Sequence, residues 1–260
     1  DTTWRLTLSI FFPLWRVMFA AFMVISLTAC TYNNSTGQVG EGVYDPYEET
    51  NRNVHEFNRS LDRIIVRPAG VGVTTILPDE VEDSVGNFAN NLGQPKVMVN
   101  SLLQGDFRGA GVSTVRFLTN STLGILGLFD VASDFQVPQH DADFGQTLYV
   151  WGVQEGAYIE VPVLGPSTQR DLTGTVVDLF LNPLSHYTDS PEKYYDPAAS
   201  VTSSLSARGR YTDTIDSIHY ESADSYAQAR LIYLQNRRFE LGDNDSEVEI
   251  DPFALDTEGF

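Results

Sequence analysis

The stretch DPYEETNRNVHEFNRSLDRIIVRP, residues 45–68, decides the fold class, because it combines a helix start signal with helical spacing of apolar residues. Asp45 is a candidate N-cap, followed by a proline and, three residues after the cap, by Glu48. One face of the predicted helix then carries Val54, Phe57, Leu61, Ile64 and Ile65. Pro68 disfavours a helical conformation at Arg67, so the helix is predicted to end there.

Further helices are predicted along the chain. Pro78 precedes a first turn rich in acids, an apolar set follows at helical spacing, and Gly93 is predicted to end that helix. Alternating strand patterns are scarce, no internal repeat is present, and Tyr158–Leu164 is predicted to be an extended apolar connection. The sequence therefore predicts a mainly α fold in a single helical domain. The remaining predicted helices span Pro95–Gln104, Asp106–Leu118, Pro166–Leu181 and Ser222–Leu241.

The last predicted helix is amphipathic and ends at Gly242. Its spacing predicts that Tyr226, Ala229, Ile232 and Tyr233 face inward. Its arginines are predicted to face outward, where the two in the final turns complement the helix dipole. These arginines are Arg230, Arg237 and Arg238.

The chain has one cysteine, Cys30, at the end of an apolar N-terminal stretch. Arginines near the start, an apolar run from Val17 to Leu27 and small residues before the cysteine are typical of a secretory signal. A transmembrane helix would have to run back through Pro13 and Arg16, which disfavours that alternative. The sequence Leu-Thr-Ala-Cys resembles the bacterial lipobox, which implies a diacylglyceryl group on Cys30. The alternative is a free thiol.

Four segments follow from composition: a lipoprotein signal peptide at 1–29, a flexible tether at 30–43 after lipidated Cys30, a helical domain at 44–241, and an acidic tail at 242–260 predicted to be disordered. The formal net charge is −19. Such a charge repels polyphosphates, so no nucleic-acid partner is predicted.

The segment Leu123–Val131 is apolar on nearly every side and too short to span a bilayer. One interpretation is ordinary burial in the core. The other is an interfacial hairpin that touches lipid. The candidate membrane or lipid contacts are Leu123, Ile125, Leu126, Leu128 and Phe129.

The glycines in and beside the neighbouring apolar stretches favour either tight backbone approach or turns. A turn is the preferred interpretation for Gly105. The set is Gly105, Gly109, Gly111, Gly124 and Gly127.

Catalytic patterns are weak. His55, His140, His186 and His219 are scattered without the spacing of a helical zinc site, so neither a metal nor a cofactor is predicted. The sequence His140-Asp141-Ala142-Asp143 suits a helix cap and an ordered loop better than catalysis. Ser167, in Gly165-Pro166-Ser167-Thr168-Gln169, lacks the final glycine and the strand of a nucleophile elbow. We therefore predict no catalytic residue.

Several motifs occur in order across Tyr44–Leu241. They are DPYEETNR from Asp45, VRP from Val66, NF from Asn87, NSLLQG from Asn100, RFLTNSTLG from Arg116, GLFDVA from Gly127, DFGQTL from Asp143, WGV from Trp151 and GPST from Gly165. Together they closely resemble the MlaA (VacJ) outer-membrane lipoproteins. The acidic tail lies outside this pattern.

The resemblance implies a non-enzymatic transporter anchored at the periplasmic face of the outer membrane. A ring of helices with an amphipathic channel would take phospholipid from the outer leaflet. The implied partners are a trimeric porin, a periplasmic lipid shuttle protein and, through the shuttle, an inner-membrane ABC transporter. Two alternatives remain, a lipid hydrolase using Ser167 or the His140 cluster, and a structural tether that uses Cys30 and the porin contact alone.

Overall fold

The computed structural model describes residues Val43–Leu184 and Tyr194–Gly242, all within one compact unit. The predicted signal peptide, Cys30, nearly all of the tether and the tail, and His186 lie outside the described residues. The described residues are mainly α-helical, as predicted. The helices are α1 Glu48–Leu61, α2 Arg67–Ile76, α3 Asp79–Gln104, α4 Phe107–Thr122, α5 Val131–Asp134, α6 Phe144–Val150, α7 Gln169–Leu181, α8 Tyr195–Arg210, α9 Thr212–Asp216 and α10 Ser225–Glu240.

The predicted N-cap of the first helix is wrong. Helix α1 begins at Glu48 without a side-chain cap. Asp45 instead accepts hydrogen bonds from the Tyr226 hydroxyl and from the Arg230 guanidinium of α10. A charged partner from a distant helix thus outcompetes the local capping geometry.

The predicted end of this helix at Arg67 is also wrong. A π-helical turn, Asp62–Val66, joins α1 to α2, and Pro68 lies in the first turn of α2. A proline there lacks only an N–H that has no partner in an ordinary first turn, so the chain remains helical.

The predicted apolar face of α1 does not form a core. Phe57 of α1 and Ile64 and Ile65 of the π-helical turn are exposed, whereas the buried residues of α1 are Asn51 and His55. Helical spacing correctly located a helix here. It did not predict which face is buried.

The two helices predicted on either side of Gly93 are one helix, α3. Pro95 lies inside it, and its missing N–H leaves the carbonyl of Asn91 without the usual helical partner. The helix nevertheless continues across this position, where it packs against α4 and α8. Gly105 ends α3 with φ of 76°, which confirms the predicted turn. Helix α4 is capped by Asp106 and continues four residues beyond the predicted Leu118.

The structure corrects the predicted start of α7. Residues Gly165–Thr168 form strand β2, which pairs antiparallel with β1, Tyr158–Val161, in the region predicted to be extended. Thr168 caps α7 by accepting a hydrogen bond from the N–H of Asp171.

Helix α10 runs inside its predicted bounds, and Tyr226 is buried as predicted. Ile232, predicted inward, is exposed. Arg237, predicted outward, is only 9% exposed because it is paired with the buried Asp171 and the partly exposed Asp143. Arg230 and Arg238 also turn to carboxylates, those of Asp45 and Glu155. Ion pairing with these carboxylates, rather than attraction to the helix dipole, therefore decides where the arginine side chains lie.

Polarity is distributed unusually among the described residues, because buried polar and charged side chains outnumber buried apolar ones. The buried apolar cluster is small and consists of Tyr158, Tyr226 and Leu234. Many large apolar side chains are exposed instead. Networks of hydrogen bonds and ion pairs, rather than a large apolar core, therefore hold the helices together.

Candidate functional site

The segment Leu123–Phe129 folds back on itself through a series of turns. The N–H of Leu126 donates to Ser121 at 3.0 Å, and the N–H of Phe129 donates to Gly124 at 3.0 Å. Its candidate contact residues, Leu123, Ile125, Leu126, Leu128 and Phe129, are between 38% and 68% exposed. The segment is thus not buried in the core.

Ile125 and Leu126 adopt left-handed backbone conformations, with φ of 51° and 60°. Such conformations cost an ordinary L-residue about 1 to 2 kcal/mol each and persist only where neighbouring contacts enforce them. The strain holds apolar side chains away from the protein interior, which indicates a specific surface rather than a poorly packed loop.

Asn91 of α3 fixes the middle of the segment. Its amide donates to the Ser121 hydroxyl at 2.9 Å and to the Leu126 carbonyl at 3.4 Å. Gly127 lies directly over Asn91, and a Cβ at Gly127 would be 2.5 Å from the Asn91 Cβ. The close approach predicted for glycines in this region therefore occurs at Gly127.

The two ends of the segment are joined by a polar clamp. Arg116 of α4 donates to both carboxylate oxygens of Asp130, at 2.9 and 2.8 Å. Asn120 donates to Asp130 and accepts the N–H of Ala132 at 2.8 Å. Burial alone would raise the pKa of Asp130, but hydrogen bonds from Ser133, Asn120 and Arg116 outweigh it and hold that pKa below its usual value.

A cavity of about 1030 Å³ lies between α3, α7, α8 and α10. This is at the upper end of the range of about 300–1,000 Å³ found for ligand pockets. Its wall is amphipathic: Leu92, Val97 and Leu179 contribute apolar surface, and amides, hydroxyls and charged groups contribute the rest. It can therefore accept a ligand that has both an apolar and a polar part.

Arg237 organises the charges at one side of this cavity. Its two terminal nitrogens donate to Asp143 at 2.8 Å each, and one of them also reaches Asp171 at 3.1 Å. The Tyr233 hydroxyl donates to Asp171 at 2.6 Å. Burial opposes ionisation of Asp171, but Tyr233 and Arg237 together lower its pKa. Asp178, on the same helix as Asp171, also lines the cavity, and burial raises its pKa.

A smaller polar cavity of about 80 Å³ adjoins the large one. Asn90, Gln94 and Gln139 line both cavities. The small cavity also contacts Arg116 and Asp130, the clamp of the apolar segment. Polar side chains thus lead from the exposed segment to the large cavity.

The catalytic alternatives gain no geometric support from their residues. Ser167 lies in β2, where its hydroxyl donates to the Thr168 carbonyl at 3.3 Å and lies beside Tyr233. Neither partner is a general base for a serine nucleophile. His140 lies 3.4 Å from Asp106, while Asp143 caps α6.

The other described histidines are the buried His55 and the half-buried His219, whose ring centroids lie 5.8 Å apart and which line neither cavity. His55 lies 3.4 Å from Glu160 and 3.1 Å from Ser225. Burial lowers the pKa of His219. Within the described part of the chain, histidine, cysteine and carboxylate side chains form no group suited to a metal ion.

The cavity could not be predicted from the sequence, because the residues of its wall come from segments that are distant in the chain. Arg237 gave no signal as an interior residue, since its position in a last helical turn suggested solvent. Arg116 was noted only as part of a motif.

Comparison with known proteins gives the family. The model of the MlaA lipoprotein family matches residues 43–240, nearly all of the described chain. The chain belongs to the MlaA lipoprotein family. A Rickettsia felis protein is 38% identical over 203 residues, covering 76% of this chain and 80% of its own length.

Relatives from several species carry the name intermembrane phospholipid transport system lipoprotein MlaA. The Haemophilus influenzae protein is 31% identical and covers 87% of this chain and 90% of its own length. The Escherichia coli protein is 33% identical and covers 85% of this chain and 87% of its own length. A solved MlaA structure, described as the structural basis for maintenance of bacterial outer membrane lipid asymmetry, matches with a TM-score of 0.65 at 31% identity and covers 76% of this chain and 98% of that chain.

Among the described residues, none of the helices is long and apolar enough to cross a membrane.

Proposed function

We propose that this chain removes phospholipid misplaced in the outer leaflet of the outer membrane and passes it on for retrograde transport, which maintains lipid asymmetry. The observation that carries the proposal is an exposed, strained apolar segment joined by polar side chains to a large amphipathic cavity. The names of the Haemophilus influenzae and Escherichia coli relatives support phospholipid as the substrate.

The distribution of polarity favours seating in lipid. Apolar side chains such as Phe57, Ile64 and Leu126 face outward while polar networks lie inside. Exposed apolar surface on this scale marks an interaction site, and for a lipid-anchored protein a bilayer is the nearest apolar phase. Leu123, Ile125, Leu126, Leu128 and Phe129 would enter the lipid and admit a phospholipid beside Asn91.

The cavity would serve as the channel. Acyl chains would lie along Leu92, Val97 and Leu179, and the headgroup would move among the polar side chains that line both cavities. Such transfer needs no bond to break, and we propose that the protein is not an enzyme.

The lipid on Cys30 would hold the mature chain at the periplasmic face of the outer membrane, with residues 30–43 as its tether and the acidic tail extending from residue 242. A trimeric porin would position the protein, and a periplasmic shuttle protein would carry the phospholipid to an inner-membrane ABC transporter. These partners follow from the family resemblance.

Site-specific photocrosslinking tests the route. A photoreactive amino acid at Thr175, an exposed helical position on the cavity wall, should crosslink to phospholipid in growing cells. The same amino acid at Thr214, an exposed helical threonine outside the wall, serves as the matched control. Absence of a lipid adduct at Thr175, or equal adducts at both positions, would contradict transport through this cavity.

A further inference from the structure

The charges on the cavity wall do not cancel. Arg237 is paired with Asp143, Asp171 and Glu240. The other charged residues of the wall make no ion pair among the described residues. They are one cation, Lys96, and three carboxylates, Asp141, Asp178 and Asp196.

These carboxylates have only neutral hydrogen-bond partners. Asp196 accepts from the Asn182 amide at 3.1 Å and from the Ser200 hydroxyl at 3.4 Å. Asp141 receives only long contacts of 3.4 Å from Gln139. Their negative charge thus remains available to a cation that enters the cavity.

An unpartnered acceptor lies on the same wall. Gln94 is only 5% exposed, and its Oε1 atom has no hydrogen-bond partner among the described residues. Lys96 follows two residues later on α3 and also lines the cavity. A buried acceptor without a donor is costly unless a ligand or water supplies one. The wall thus offers one site for an anion and several for an N–H donor.

We propose that the cavity selects phospholipids whose headgroup carries a primary ammonium over anionic phospholipids, an inference that rests on the proposed transport function. The phosphodiester, common to both classes, meets Lys96. The ammonium of an ethanolamine headgroup meets Asp141, Asp196 and the Oε1 atom of Gln94. A glycerol headgroup has no ammonium, so a phospholipid that carries it keeps a net negative charge. The same carboxylates therefore repel it.

Lipid recovery from the purified full chain tests the selection. The protein is incubated with vesicles of equimolar phosphatidylethanolamine and phosphatidylglycerol, re-isolated, and its bound lipids are quantified by mass spectrometry. The wild type should recover phosphatidylethanolamine in at least threefold excess. An Asp141→Asn, Asp196→Asn double variant should bring the ratio close to one without reducing the total.

The matched control is Glu80→Gln with Asp213→Asn, which removes the same charge at exposed positions outside the cavity and should keep the wild-type ratio. Lys96→Gln should lower recovery of both lipids at least twofold, and Lys96→Arg should restore it. Equal recovery of both lipids by the wild type, or an unchanged ratio in the Asp141, Asp196 variant, would overturn the selection while leaving transport intact. If Lys96→Gln recovered as much lipid as the wild type, Lys96 would not be the phosphate contact. If the wild type recovered neither lipid, the transport function would fall as well.

Discussion

One terminal nitrogen of Arg116 donates to both carboxylate oxygens of Asp130, and this ion pair joins the helix before the apolar segment Leu123–Phe129 to the residue directly after it. The Arg116 side chain is nearly buried and also donates to the Val137 carbonyl at 2.6 Å. The segment can therefore present its apolar side chains outward because its ends are fixed by polar contacts rather than by burial of those side chains.

The substitution Asp130→Asn should destabilise the protein by about 2 to 4 kcal/mol, because it leaves the buried Arg116 guanidinium without its charged partner. Urea unfolding followed by circular dichroism measures the loss. Asp134→Asn, at an exposed position in α5, is the matched control and should change stability by less than about 0.5 kcal/mol. Equal stabilities of the two variants would contradict the clamp.

Asp130→Asn and Asp134→Asn should also differ in how the free energy of unfolding depends on pH. Because the folded pKa of Asp130 is lowered, its contribution to stability is present above the unfolded pKa of about 3.9 and is lost as the pH falls through the folded pKa. Asp130→Asn should therefore reduce the fall in unfolding free energy between about pH 5 and pH 3, whereas Asp134→Asn should not.

Gly127→Ala should destabilise the chain by at least about 2 kcal/mol, because φ is 95° and the added Cβ would meet Asn91. Gly111→Ala is the control, and it should change stability in the opposite direction. Gly111 lies within α4 with nothing within 4 Å of its added Cβ, so alanine there should stabilise by about 0.5 to 1 kcal/mol. Thermal and urea unfolding separate the two. A neutral Gly127→Ala would show that the segment does not dock on Asn91.

Leu126→Arg tests lipid contact by the apolar segment. Leu126 is exposed, so arginine should change stability by less than about 0.5 kcal/mol while it abolishes most phospholipid recovery from vesicles. Leu234→Arg is the contrasting change. Leu234 is 1% exposed, and an unpaired charge there should cost about 4 kcal/mol or more. A collapsed melting transition in Leu126→Arg, or normal lipid recovery, would retire the lipid-contact hypothesis.

Cys30→Ala should abolish labelling of the protein with radioactive palmitate, because Cys30 is the predicted site of the lipid anchor. The labelled protein is followed by immunoprecipitation, and wild-type protein of equal abundance is the control. Persistent label in the variant would show that the lipobox interpretation is wrong.

The sequence predicted the helical class well and the burial poorly. Phe57, Ile64 and Ile65 were correctly placed on one face of a helical stretch, but periodicity does not distinguish a face that meets a core from one that meets lipid. Gly93 was predicted to end one helix and Pro95 to begin the next, but both lie within the single helix α3, which packs against α4 and α8. Tertiary contacts, not local propensity, decide both cases.

The candidate site was predicted only in part. The apolar segment stood out because Leu123–Val131 is a short run that is apolar apart from its glycines and Asp130. The cavity did not, since Lys96, Asp141 and Asp196 are far apart in the chain and each is ordinary in its own surroundings. Arg237 shows the same limit, because its partners Asp143 and Asp171 lie on other elements.

The most direct test of the account measures phospholipid in the outer leaflet of the outer membrane, in cells that lack this protein and in cells complemented with its variants. Loss of the protein should raise outer-leaflet phospholipid and weaken the barrier to detergent. A Ser167→Ala, His140→Ala double variant should restore asymmetry, because neither residue performs chemistry. Unchanged outer-leaflet phospholipid in the deletion strain would contradict the transport function. Failure of the double variant at normal abundance, together with lipid cleavage by the purified wild type, would instead indicate a hydrolase.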